Sequence, residues 1–327
     1  MKRRELIALL GGAAAFPLAA RAQQPALPVV GVVSGQSADA DARNAAAFRK
    51  GLNEAGYVDG EKVKIEYHWL EGQYDRLPAL MADLARRQVA VIATTGNLPA
   101  ALAAKAATGT IPIVFGVGDD PVKLGLVDSL ARPGGNATGT NYFVNEVVPK
   151  RLRLLHDLVP GAVRVAVLVN RGNASSTEAT LRGVQEAAPT MGLQTQILNA
   201  TTIGEIDAAF ASFAHERPDA LFVAPDAFFV SHALQFITLA ARDRIPATYS
   251  LRDYVAAGGL MSYGTDFAGM SYQIGIYTGA ILKGAKPAEL PVIQSTKFEF
   301  VINLRTAKAL GIEVPPGLLS IADEAIE

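Results

Sequence analysis

The sequence predicts an α/β fold of two tandem lobes, each built on a parallel sheet, and two observations carry that reading. Short Val/Ile-rich runs alternate with segments of helical periodicity, the order that gives parallel strands joined by right-handed crossovers. The same order then recurs: Val30 to Val33 match Val165 to Leu168 at a spacing of 135, and Ile111-Pro112 match Ile245-Pro246 at 134. A chain of 327 residues with 50% hydrophobic composition holds enough apolar material for two packed cores.

Residues 1–22 are a different kind of sequence. "MKRR" is cationic, and "LIALLGGAAAFPLAA" is apolar but too short and too broken by Gly and Pro to span a bilayer. "ARA" then offers small residues at an A-x-A cleavage site, so this segment reads as an export signal. Arg3-Arg4 suits either a twin-arginine signal or an ordinary charged n-region. The signal would take Lys2, Arg3, Arg4, Arg21 and only one acid, Glu5, with it, leaving a mildly acidic chain. There is no cysteine, hence no disulfide framework, thiolate metal site or lipid-modified Cys, and the expected product is exported, soluble and not lipid-anchored. With 30 Lys+Arg against 31 Asp+Glu, the basic excess that binds a nucleic-acid backbone is missing.

The first lobe is expected over residues 27–140 plus 265–298. Its runs at 29–35, 62–69, 89–96 and 111–118 read as strands buried on both faces. Between them, Ala45, Phe48, Leu52 and Ala55 share one helical face, Leu77, Leu80, Met81 and Leu84 another, and Ala100 to Ala107 form a third helix. The second lobe is expected over 141–264 plus 299–327. Strand 163–170 leads to the helix "TEATLRGVQEAAPTMG", where Pro189 predicts a kink or early stop, and then to the strand "LQTQILNA". Strand 218–226 leads to the helix "SHALQFITLAARDR" and to "IPATYSLRDY". The remainder supplies strands at 259–265 and 297–303 and two helices. Together with "TGTNYF" at 138–143, these make three crossings between the lobes, side by side as a hinge requires.

Ligands of parallel α/β sheets lie beyond the carboxyl ends of the strands, where loops enter helix N-termini. Two facing lobes would bring six such loops to one cleft: 34–36, 94–97, 116–121, 170–175, 226–229 and 249–252. Asp119-Asp120 invites a metal or acid/base reading, but no D-x-D-x-D-G or His-x-x-x-His pattern accompanies it, and His68, His156, His215 and His232 are scattered over unrelated elements. One of the pair is expected to cap a helix beginning at Pro121 while the other faces the cleft, with Asp120 favoured for ligand contact. "GVGDDP" lacks the third glycine of a dinucleotide loop, and no P-loop or G-x-S-x-G occurs. No catalytic residue, metal or cofactor is therefore expected. Phe228, Phe229, Tyr249, Tyr254 and Tyr263 gather at the loops of the second lobe, as core or as a platform for a small organic ligand, whereas Trp69 reads as packing.

Four runs, "DDPVKLGLVDSLARPGGNATG", "IEYHWLEGQYDRLPALMADLA", "LAARDRIPATYSLRDYVAAGGLMSYG" and "KFEFVINLRTAKALGIEVPPGLLSIADEAIE", resemble ABC-transporter substrate-binding proteins of the tryptophan/tyrosine-binding type. The resemblance covers the chain after the export signal. It implies a type I periplasmic binding fold, two Rossmann-like lobes joined by a three-segment hinge. It also implies a monomeric periplasmic protein without enzyme activity, which closes on a small ligand and delivers it to an ABC permease with its ATPase. Ligand contacts would come from Ser34, Gly35, Thr95, Gly96, Asn97, Asp120, Pro121, Asn170, Asp226, Tyr249 and Tyr263. For an amino acid, Asp226 or Asp120 would accept the ammonium, and donors at Ser34, Thr95 and Asn97 would hold the carboxylate. Asn97-Leu98 stands where relatives often carry smaller residues, which bears on pocket size. Two alternative readings come from other function classes: a ligand-sensing module that reports occupancy to a receptor or kinase, and a secreted α/β enzyme, which would need a base or nucleophile that the sequence does not assemble.

Overall fold

The computed structural model describes residues 26–142, 144–294 and 297–327; the expected export signal and Phe143 of the first crossing lie outside the described residues. The first lobe opens with β1 (Val29–Ser34), α1 (Ala42–Glu54), β2 (Lys64–Trp69), α2 (Leu77–Arg86), β3 (Val91–Thr95), α3 (Leu98–Ala107), β4 (Ile113–Val117) and β5 (Ala137–Asn141). The chain then crosses into α4 (Val144–Leu158), β6 (Arg164–Val169), α5 (Ala174–Ala187), β7 (Gln194–Asn199), α6 (Ile203–Ser212) and β8 (Ala220–Val223). The second lobe continues through α7 (Ala227–Ser231), α8 (Ala233–Asp243), β9 (Ala247–Tyr249), α9 (Arg252–Ala256) and β10 (Met261–Thr265). α10 (Phe267–Leu282) and β11 (Ile293–Gln294) return to the first lobe. β12 (Phe298–Asn303), α11 (Leu304–Leu310), α12 (Pro316–Ile321) and β13 (Glu324–Ile326) close the second.

The two sheets run β11-β5-β4-β3-β1-β2 and β13-β12-β10-β9-β8-β6-β7, so the chain passes between them three times. Every pair is parallel except β10 with β12. β1, β3 and β4 are apolar and almost wholly buried because helices cover both faces of the sheet. The run at 62–69 departs from the expectation of burial on both faces. β2 is the edge strand, half-buried, with Tyr67 stacked on Trp69 at 5.3 Å and the Trp69 indole N–H donating to Asp41 Oδ2 at 3.3 Å. α1 buries Ala45, Phe48 and Leu52, and Phe48 and Leu52 share a core with Met270 and Ile274 of α10, which ties the returning segment to the first lobe. A single core fills the second lobe around Val165 to Val169 and Leu221 to Val223.

Pro189 stops α5 early: the helix ends at Ala187 and tightens into a 3₁₀ turn over Ala188–Met191. The helix expected from Pro121 does not form. Residues after Asp120 make a single turn, closed where Leu126 N–H donates to Pro121 O at 2.9 Å and Gly125 takes the left-handed conformation (φ 69°) that ends a helix rather than continuing it. No helix of the described residues is long and apolar enough to cross a membrane.

Candidate functional site: the cleft between the lobes

In each sheet the strand that comes first in its lobe lies between the second and the third, so the loops leaving β1 and β3, and those leaving β6 and β8, diverge to opposite faces and open a crevice. The sequence supplies polar residues at all four exits. Gln36, Gly96 and Asn97 come from the first lobe, and Asn173, Pro225 and Asp226 from the second. They meet around a cavity partly open to solvent, whose remaining walls include Asp119, Tyr142, Arg151 and Phe267.

The lobes touch across this cavity. Ser175 Oγ donates to Asp119 Oδ2 at 3.0 Å, and the Ser37 backbone N–H donates to Ser231 Oγ at 2.9 Å. A Cβ placed on Gly35 would lie 2.9 Å from Ala227 Cβ and 2.7 Å from Asn97 Nδ2, so only glycine permits this approach. Gly35→Val is therefore expected to prop the cleft open: the radius of gyration in small-angle scattering with ligand should exceed that of the parent, and affinity should fall by at least about tenfold. An unchanged scattering profile and affinity would show that the lobes close elsewhere.

On the second-lobe wall, Asp226 caps α7 and organises its neighbours. Its Oδ1 accepts from Asn170 Nδ2 (2.9 Å), Phe228 N (3.0 Å) and Phe229 N (3.4 Å), and its Oδ2 from Asn173 Nδ2 (3.0 Å). Burial pushes the Asp226 carboxyl above the usual carboxylate range, and these hydrogen bonds offset that only in part. On the first-lobe wall, Asn97 caps α3 by accepting from Ala100 N at 3.1 Å. Its Nδ2 and Gln36 Oε1 are buried with no partner among the described residues. Tyr142 and Phe267 form a tilted aromatic pair, centroids 4.9 Å apart.

Arg151 is the residue that the sequence reading missed. It lies wholly buried on α4; Nη2 donates to Val223 O at 3.1 Å and Cζ stands 4.0 Å from the centroid of the Phe222 ring. Nε and Nη1 have no hydrogen-bond partner among the described residues, and no carboxylate there forms an ion pair with it. Burial lowers its pKa to about 9, which leaves it cationic at neutral pH. A signal was present: Val148, Arg151, Leu155 and Leu158 share one helical face, and one arginine in an apolar stripe is out of place.

Of the residues expected at the ligand, Gly96, Asn97 and Asp226 line the cavity, and Gly35 sits at the closure contact. The others stand apart from it. Ser34 is buried beneath its loop, its Oγ accepting from Gln36 N, and Thr95 is buried beside Gly96. Asn170 supports Asp226 from behind. Asp120 is exposed, because its carboxylate caps the turn at Pro121 by accepting from Val122 N (3.0 Å) and Lys123 N (3.4 Å); Asp119 takes the cleft position instead. Tyr249 ends β9 with its ring in the core, stacked on Tyr254 at 4.6 Å, and the next residue, Ser250, lines the cavity. Tyr263 packs beside Phe298 and Phe300 of β12.

The profile of the family described as ABC transporter substrate binding protein matches residues 27–326. The chain belongs to this family. It is 28% identical over 266 residues to a tyrosine-binding protein of Clostridioides difficile, spanning 81% of this chain and 76% of that one. Among solved structures, an ABC domain from Streptococcus pneumonia in complex with L-Trp is 26% identical with a TM-score of 0.79, covering 92% of this chain and 100% of that one. A ligand-free, open substrate binding protein with adhesive properties from Clostridium difficile, also 26% identical, covers 92% and 99% at a TM-score of 0.63. The two parallel-sheet lobes make the type I periplasmic binding fold.

Proposed function

We propose that this chain is the periplasmic solute-binding component of an ABC importer, exported by its N-terminal signal. It would act as a monomer, close on a small organic ligand with an aromatic ring, foremost an aromatic amino acid, and pass it to a membrane permease with its ATPase. The observation that carries this reading is a cavity walled by both lobes and bridged by hydrogen bonds between them, from Ser175 to Asp119 and from Ser37 to Ser231. A site divided in this way couples occupancy to closure, because a ligand that touches both walls binds the closed form alone. Tyr142 and Phe267, with Leu98 and Pro99, offer apolar surface for a ring, while Gln36, Asn97 and Asp119 set polar atoms around it. Relatives that bind tyrosine and L-Trp support an aromatic amino acid as cargo.

Thermal melts of the chain without its signal, in the presence of L-Trp, L-Tyr, L-Phe, aliphatic amino acids and sugars, test the reading. An aromatic amino acid at a hundred times its Kd should add about 2.7 kcal/mol of stability, a shift of several degrees. A panel in which no small molecule raises the melting temperature would remove the binding role.

A further inference from the structure

We propose that the cleft is built for a ligand carrying an anionic group, a carboxylate first of all, and that Arg151 on the α4 wall is its counter-charge. The inference rests on the reading of the cavity as the ligand site and adds which chemistry is obligatory there.

Arg151 is the only fully buried Arg or Lys among the described residues, and it lines the cavity. One of its nitrogens is spent on Val223 O, and its flat face lies against the Phe222 ring, so the guanidinium is held in place without being neutralised. Two further donor nitrogens remain unmet. The carboxylates nearest in role are committed elsewhere. Asp226 accepts four hydrogen bonds from its own lobe, and Asp119 accepts from Ser175 across the cleft. A desolvated cation with unmet donors raises the free energy of the empty cleft, and an anion placed against it lowers that of the filled one. The difference favours ligands with an acid group and rejects those that leave the guanidinium unpaired, such as sugars, ureas and simple amines. It also moves the acid end away from Ser34 and Thr95, whose side chains lie outside the cavity lining, to the second lobe.

Titration calorimetry of the unmodified protein with matched compounds tests this. Against L-tryptophan and L-tyrosine, tryptamine and tyramine, which lack the acid, should bind at least about 100-fold more weakly, whereas indole-3-propionate, which lacks only the amine, should retain binding. Tryptamine binding as tightly as L-tryptophan overturns the assignment. If no aromatic compound binds, a panel of non-aromatic acids and their matched amides decides. Stabilisation by acids supports the inference; stabilisation by sugars or amines alone overturns it while leaving the cleft a binding site; stabilisation by nothing overturns the binding reading and this inference with it. Arg151→Met gives an independent readout. As a counter-charge, Arg151 can be removed without lowering the ligand-free melting temperature, while acid affinity drops at least about 100-fold. A ligand-free melting temperature that falls by many degrees, with acid binding kept, would make Arg151 a structural residue and sink the proposal.

Discussion

Replacing Asp226 with alanine is expected to cost about 3 kcal/mol of stability and to abolish ligand binding, while the isosteric Asp226→Asn should keep most of both. The magnitude follows from what the carboxylate holds. Alanine removes the cap of α7, worth about 1 kcal/mol, and leaves the Asn170 and Asn173 amides without an acceptor at about 1 kcal/mol or more each. The damage would spread along the cleft floor, because these two asparagines organise the loop that enters α5. Asn173 caps that helix by accepting from Ser176 N, Ser176 Oγ donates to Pro225 O at 2.6 Å, and Thr177 Oγ1 donates to Asn170 O at 2.7 Å. Asparagine at 226 keeps Oδ1 and the cap and loses one contact, that to the Asn173 amide. Chemical denaturation together with calorimetry separates two roles for Asp226. If its charge grips a ligand ammonium, asparagine should lose binding as completely as alanine does. If it braces the floor, binding should follow stability, and only alanine should fail. The full complement of four donors around the carboxylate favours the bracing role.

The same residue shows where the sequence was legible and where it was not. Strand-end loops could be read because apolar runs mark the strands and polar residues mark their exits, so Gly96, Asn97 and Asp226 emerged from periodicity and the topological rule alone. The repeat at 135 residues told of two lobes because each must bury its own core. What failed was direction. Asp119 and Asp120 are chemically identical neighbours, and which one faces the cleft depends on a turn at Pro121 that ends after one revolution instead of growing into a helix. Tyr249 and Ser250 differ by one step along the chain, and that step takes the side chain from the core to the cavity. Arg151 was overlooked for another reason. It sits on a helix and not at a strand end, and its place in an apolar stripe marks burial without telling whether the guanidinium meets a carboxylate or an open cavity.

Stability should rise as the pH falls from 7 to about 4.5, and Asp41→Asn should flatten much of that rise. Asp41 is 2% exposed, accepting from Asn44 Nδ2 at 3.2 Å and from the Trp69 indole N–H at 3.3 Å. Burial raises its pKa from 3.8 to about 6, because the hydrogen bonds from Asn44, Trp69 and Ser34 do not offset the lost hydration. A folded-state pKa above the unfolded one means that the native state binds the proton more tightly. The stability contributed by this group is therefore complete below the unfolded pKa of 3.8 and lost as pH rises through about 6, a change of about 3 kcal/mol across the window. Within the window His68 opposes the rise: burial lowers its pKa from the ordinary 6.5, so the stability it contributes is lost as pH falls below that value. A second opposing group acts lower down. Glu66, held by Arg87 and Lys64 and depressed to about 2, contributes stability that is lost as pH falls from its ordinary 4.5 toward 2, and its exposure to solvent weakens that contribution. Asp226, raised by burial like Asp41, adds to the rise and leaves a residual slope in the variant. Urea denaturation of both proteins between pH 4.5 and 7 reads the slopes directly; asparagine at 41 places an amide against one of two donors and shifts absolute stability, so the slope is the decisive quantity. Equal slopes would show that Asp41 titrates near its ordinary value. The loop at stake runs from Ser34 through Gln36 and Ser37 to α1, one residue lining the cavity and the next bonding across it to Ser231.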